Sequence, residues 1–174
     1  LDALARLLNA MEFIGCWATA LRLVLIALLP KTYGTKRPIG LFPTVIRLWM
    51  RARRPVDAEW ERVNERKQIY AGPGRGAQRA AWQMAFRAEK SALADEGYGQ
   101  SLIDLVKAFE RVPHDVLAMA ADKHNYCLWV LRLSLAAYRA PRAIGINGIY
   151  SRLVIACCGM TAGTGSATTQ LKVI

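Results

Sequence analysis

Apolar residues recur at helical spacing from the start of the chain. Leu4, Leu7, Leu8, Met11 and Ile14 fall three or four apart, which predicts a helix from Leu1 to about Phe13. Leu21 to Leu29 is an apolar run with β-branched members, read as a buried strand that Pro30 ends. Lys31 to Pro38 is a polar loop around Gly34, and Ile39 to Phe42 a short returning strand. Pro43 to Arg53 reads as a helix with Pro in its first turn. Pro55 is expected to interrupt it, with a second helix following to about Tyr70. Gly72, Pro73, Gly74 and Gly76 mark a loop. Ala77 to Ala94 is built from strong helix formers, and Glu96-Gly97 stops it.

The second half alternates shorter elements. Gln100 to Leu105 reads as a strand, Pro113 to His124 as a helix, and Leu128 to Ala140 as a helix stopped by Pro141. Arg142 to Ile146 and Tyr150 to Ala156 are predicted strands joined at Asn147-Gly148, a dipeptide suited to a tight hairpin turn. Gly159 to Gly165 is a loop of small residues, and Ala167 opens a helix. Helices mixed with an antiparallel hairpin, without a regular βαβ repeat, place the chain in the α+β class.

Composition narrows the picture. The chain has 174 residues and is 53% apolar, enough for one domain with a core or part of a larger one. It begins at Leu1 and ends at Ile174 within an apolar stretch, which suggests a fragment. The net charge is +11, and 14 of the 24 basic residues but only five of the 13 acidic ones lie between Lys31 and Lys90. Such concentrated positive charge favours polyanions; its plainer reading is a solvated helical face. Cys16, Cys127, Cys157 and Cys158 lack C-x-x-C spacing, and His114 and His124 are the only histidines, so neither zinc nor a disulfide framework is expected. Buried, reduced thiols fit an intracellular protein, in nucleus or cytoplasm. Phe13 to Leu29 contains Arg22 and is too short to span a bilayer, so it reads as core, with no signal peptide and no membrane partner.

One stretch carries more chemistry than the rest. Leu102-Ile-Asp-Leu-Val-Lys-Ala-Phe-Glu-Arg-Val-Pro-His-Asp-Val-Leu117 places Asp104 at the end of an apolar run, Phe109 five residues on, and a helix start at Pro113. It resembles the first catalytic motif of reverse transcriptases of LINE-type (non-LTR) retroelements. The resemblance implies that Asp104 binds Mg²⁺, with the Leu105 carbonyl as a further oxygen ligand. Mg²⁺ prefers such hard oxygen donors. It also implies that Phe109 is a sugar gate, closing the space a ribose 2′-hydroxyl needs; the plain alternative is a core aromatic. Glu110 stands where the family has mostly Asp and is assigned no metal. His114 fits the pattern, but a structural role at the helix start is favoured over catalysis.

Three further segments extend the likeness. Leu28-Leu-Pro-Lys-Thr-Tyr-Gly-Thr-Lys-Arg-Pro-Ile39 is similar to the family's fingers motif. Its turn brings Lys31 and Arg37 together, a pair of cations able to clamp a triphosphate, with Lys36 as a third. Gly72 to Gln78, with Arg75 and Arg79, resembles the template-binding segment that follows; it lacks the Gly-Lys-Ser/Thr of an ATP-binding P-loop. Gly159-Met-Thr-Ala-Gly-Thr-Gly-Ser-Ala167 occupies the place of the family's Gly-x-Pro-Gln-Gly loop. Thr161 replaces Pro and Ala162 replaces Gln, while Gly163 is kept and leaves space for a substrate to approach the backbone.

The family's third motif, aromatic-x-Asp-Asp, does not occur in the sequence. The resemblance therefore implies fingers over about residues 1–100 and part of a palm over about 100–174. The complete enzyme would use an RNA template, a DNA primer, dNTPs and two Mg²⁺ ions, with no obligate protein partner. With Asp104 as the single family-type metal carboxylate, the isolated chain is expected to be inactive. The alternatives are a catalytically dead remnant that still binds nucleic acid, and an unrelated basic helical module. In the latter, Arg47, Arg51 and Arg53 would meet an anionic membrane surface.

Overall fold

The computed structural model describes residues 2–31, 34–66, 69–70, 76–101, 107–161 and 163–174. They form a helix-rich α+β structure with a small four-stranded sheet. Two compact units separate, Leu1–Arg62 with Lys107–Ile174, and Val63–Val106. Among the described residues no helix is long and apolar enough to cross a membrane.

The larger unit begins with α1, Asp2–Ile14. Gly15 ends it at φ +76, and a side chain there would collide with Arg132. That arginine reaches back to donate to the carbonyls of Glu12 (3.0 Å) and Phe13, which the helix end leaves unpaired. A 3₁₀ turn at Thr19–Leu21 leads into β1, Val24–Pro30. β1 pairs antiparallel with β2, Lys36–Leu41, and parallel with β3, Arg142–Ile146. β3 pairs with β4, Ile149–Tyr150, giving the order β2-β1-β3-β4. Asn147 (φ 50) and Gly148 (φ 82) take the paired left-handed conformations that Asn-Gly predicts for the β3–β4 turn. The expected strand to Ala156 shrinks to two residues plus an isolated bridge from Val154 to Arg142.

Helix α2 runs unbroken from Thr44 to Val63, so Pro55 does not divide it. Buried Ile46, Trp49 and Met50 precede the proline, and buried Asp57 and Trp60 follow it on the same side. Packing on both sides thus offsets the hydrogen bond that proline cannot make. The remaining helices of this unit are α4 (Ala108–Arg111), α5 (His114–Lys123), α6 (Leu128–Tyr138) and α7 (Ala167–Val173). Trp17 and Trp49 meet edge to face at 5.4 Å, and the Trp17 indole donates to the Leu133 carbonyl at 2.9 Å.

The apolar run from Phe13 to Leu29 is less buried than expected. Trp17, Val24 and Ile26 are core residues, but Phe13 is 74% exposed and Leu23 and Leu29 are exposed too. Phe13 lies in the last turn of α1, and within β1 the buried Val24 and Ile26 alternate with the less buried Leu25 and Ala27. All four cysteines are free thiols, as expected, but Cys157 and Cys158 are exposed, not buried.

In the smaller unit the main element is α3, Ala77–Leu93. The predicted strand Gln100–Leu105 falls mostly outside the described residues; Gln100 and Ser101 have no regular structure.

Pro55 is exposed, so its replacement leaves packing untouched. Pro55→Ala restores an N–H donor to the helix and is expected to raise stability by about 1–3 kcal/mol. Urea denaturation checks this; an unchanged or lower midpoint would show that the helix gains nothing at this position.

Candidate nucleotide and nucleic-acid site

The β1–β2 hairpin places the first pair of candidate residues. Leu29 lies opposite Arg37 and Pro30 opposite Lys36, and the Lys31 N–H donates to the Thr35 carbonyl at 2.8 Å. Side chains alternate along a strand, so Lys31 and Arg37 share one side of the hairpin and Lys36 lies on the other. Lys31 and Arg37 are exposed.

The second segment is the turn from Lys107 to His114. Lys107 adopts a left-handed conformation and α4 follows at once. Phe109 is half-buried against the hydrophobic core. This turn and the glycine loop are laced together. The Gly159 N–H donates to Val112 O and the Met160 N–H to Phe109 O, both at 2.7 Å. Gly159 sits at φ +87, where a Cβ would lie 2.5 Å from the Glu110 carbonyl oxygen. Only glycine permits that approach.

His114 is buried and holds the same loop. Arg139 Nε donates to its Nδ1 at 3.1 Å, so Nε2 carries the proton and donates to the Gly159 carbonyl at 2.8 Å. This is the structural role expected at the helix start. Gly163, at φ +105, completes the contact: a Cβ there would be 3.0 Å from the Gly40 carbonyl of β2.

Between the sheet and these loops lies a groove of about 220 Å³, lined by Ile26, Gly40, Glu110, Arg142, Gly159 and Thr161 among others. Burial pulls the Arg142 guanidinium below its ordinary pKa. Its Nη2 donates to the Tyr138 carbonyl at 2.6 Å.

Asp104, Leu105 and Arg75 lie outside the described residues, and Arg79 is exposed in the first turn of α3, in the smaller unit. Among the described residues no group of three or more His, Cys, Asp or Glu side chains could hold a metal ion. Asp104 and Leu105, the expected Mg²⁺ ligands, are not among these described residues.

An arginine groove was only partly visible in the sequence. Arg47, Arg51 and Arg54 of α2 border a second depression, of about 320 Å³, together with Met50, Gly163 and Gly165. Arg54 donates to the Gly165 carbonyl at 3.2 Å. Among the described residues no acidic side chain lines this depression. Arg53, expected to join Arg47 and Arg51, points elsewhere and pairs with Glu12, its Nε donating at 2.9 Å. At ~100° per residue, position 54 returns toward the side of 47 and 51, whereas 53 does not.

Beneath the glycine loop lies a buried polar network. The Tyr126 hydroxyl donates to Asp57 Oδ1 at 2.6 Å and Ser166 Oγ to Asp57 Oδ2 at 2.7 Å. The Tyr138 hydroxyl donates to Gln170 Oε1 at 2.6 Å and lies 3.1 Å from Thr164 Oγ1. Burial, then the charge and hydrogen bond of Asp57, hold the Tyr126 pKa far above its ordinary value, so it stays a donor. Sequence reasoning missed this network. The available signal was Asp57 itself, a carboxylate on the apolar stripe of an amphipathic helix.

α7 is tied to α2 through Glu61, which accepts from Lys172 Nζ at 2.8 Å and from the Thr169 hydroxyl. Burial pushes the Glu61 carboxyl up, but these hydrogen bonds and the charges of Lys172 and Arg54 outweigh it, leaving its pKa below the ordinary value. A lowered native pKa stabilises the fold above the unfolded-state value and ceases to do so as pH falls through the native one. Glu61→Gln is therefore expected to destabilise the protein at neutral pH, with the difference from wild type shrinking below about pH 4. Urea midpoints measured across pH test this; a constant difference would remove the carboxylate's charge from the account.

No protein-family model and no curated protein sequence matches the chain.

Proposed function

We propose that the chain is a nucleic-acid-binding part of an RNA-directed DNA polymerase of the non-LTR retroelement kind, comprising fingers and part of the palm. The observation that carries this reading is the meeting of three segments distant in sequence. The Lys31–Arg37 hairpin, the Phe109 turn and the Gly159–Gly163 loop were singled out for separate motif resemblances. Hydrogen bonds join Phe109 and Val112 to Met160 and Gly159, and Gly163 abuts β2 through Gly40. Segments that together handle one nucleotide need this proximity; unrelated chance matches do not.

In this reading, Lys31 and Arg37 take the triphosphate of a dNTP, and the half-buried Phe109 ring limits the room beside its sugar. Asp104 and the Leu105 carbonyl are the Mg²⁺ ligands of the complete enzyme, which copies an RNA template from a DNA primer. Held there, Mg²⁺ would supply Lewis-acid activation of the primer hydroxyl. Arg75 and Arg79 belong to the template-binding segment. Arg47, Arg51 and Arg54 add a cationic groove beside the glycine loop, chemistry suited to phosphodiester backbones. That groove also supports the second reading, a remnant that binds nucleic acid without polymerising.

Salt-dependent binding of a primer–template duplex tests both. Neutralising about four to six phosphates gives a log–log slope of about −3 to −6. Replacing Arg47, Arg51 and Arg54 together by Gln is expected to flatten that slope by about 2–3. Binding indifferent to salt, or unchanged in the triple variant, would refute the polyanion role. Primer extension by the same preparation is expected to show no incorporation, because one family-type carboxylate cannot hold two Mg²⁺ ions; template-dependent synthesis would relocate the catalytic carboxylates.

A further inference from the structure

Helix α3 of the smaller unit has no buried residue, yet its sides are not equivalent. One side is covered by flanking segments of its own unit. The Tyr70 hydroxyl donates to Gln83 Oε1, the Tyr98 hydroxyl to the Met84 carbonyl at 3.4 Å, and Gln100 Nε2 to Met84 Sδ at 2.9 Å. The other side carries Trp82, Phe86 and Leu93, which are 67%, 53% and 84% exposed. At ~100° per residue these three fall within one narrow stripe, with Arg79 and Lys90 along one border and Glu89 on the other.

The two rings are already ordered. Trp82 and Phe86 stack with centroids 5.5 Å apart and planes 8° from parallel. Both side chains stay more than half exposed beside their mutual stack, and Arg79 and Lys90 border the pair along about 16 Å of helix. An exposed apolar patch of this kind marks a binding surface. Flat π faces beside cations suit a partner that is itself flat, aromatic and anionic, namely bases on a phosphate backbone. A duplex hides its base faces within its own stack, so the fitting form is single-stranded.

We propose that the Trp82–Phe86 face of α3 is a stacking platform for unpaired bases of single-stranded nucleic acid, with Lys90 and Arg79 meeting the adjoining phosphates. It rests on the polynucleotide reading above in the class of its partner, but uses a surface separate from the arginine groove of α2. It also names the strand form that the groove leaves open.

Fluorescence anisotropy with the full chain tests this, using labelled oligo(dT) and a labelled duplex of equal length. Both rings are exposed, so their removal leaves packing intact, which circular dichroism checks. Trp82→Ala with Phe86→Ala is expected to weaken oligo(dT) binding about tenfold or more while changing duplex binding by less than about twofold. Its salt slope is expected to stay that of wild type, because phosphate contacts remain. Trp82→Phe with Phe86→Tyr keeps both rings and is expected to retain most of the affinity. Unchanged oligo(dT) affinity in the double-alanine variant, or equal losses on both probes, overturns the platform. So does a shift from oligomer to monomer in sedimentation without any change in affinity, which assigns the face to self-association. If only the arginine variants weaken binding, the polynucleotide reading stands and the platform falls. If only the aromatic variant does so, the platform stands and the arginine groove falls.

Discussion

Asp57 is a carboxylate with no exposed surface, set on the buried side of a 20-residue helix. A buried charge is tolerated only when hydrogen bonds replace its water. Here the donors are Tyr126, in the connection between α5 and α6, and Ser166, at the start of α7. Satisfying this one group therefore pins three parts of the larger unit to a common point. Tyr138, Gln170 and Thr164 extend the network, Gln170 Nε2 donating to the Tyr126 hydroxyl at 3.5 Å. Thr164 and Ser166 anchor the C-terminal end of the glycine loop through these bonds.

The opposite end of the same loop is held by shape. Gly159 lies against the Glu110 backbone more closely than any side chain would allow, and His114 fixes its carbonyl from within the core. The result is that the Phe109 turn, the glycine loop and the hairpin strand β2 succeed one another within hydrogen-bonding or van der Waals reach. Their convergence gives the motif resemblances a common physical setting. In the absence of any family match, the functional proposal rests on that setting and on the residues themselves.

The positive charge divides among several surfaces. Lys31 and Arg37 share one side of a hairpin, while Arg47, Arg51 and Arg54 border a groove beside Gly163 and Gly165. Arg53 and Lys172 are drawn into ion pairs with Glu12 and Glu61 and serve packing instead. A high net charge is thus no guide to which cations face a ligand. In the smaller unit cations border an aromatic stripe rather than a groove, which suits a different part of a polynucleotide.

Local pattern sufficed for much of the secondary structure. The helices at Asp2–Ile14, Ala77–Leu93, His114–Lys123 and Leu128–Tyr138 follow from apolar spacing and composition, and the Asn147-Gly148 turn from backbone preference. These depend on neighbours within a few residues. The continuity of α2 through Pro55 did not follow, because Trp49 and Trp60 bury on either side of a proline whose local cost is real. Nor did the choice of Arg54 over Arg53, the exclusion of Lys36 from the Lys31–Arg37 pair, or the Asp57 network. Each depends on which side of an element meets the rest of the fold. The sequence by itself determined which residues can bind phosphate, stack or accept a proton. Tertiary structure decided which of them share a surface, because a pairing over a hundred residues, such as Asp57 with Ser166, leaves no local periodicity to read.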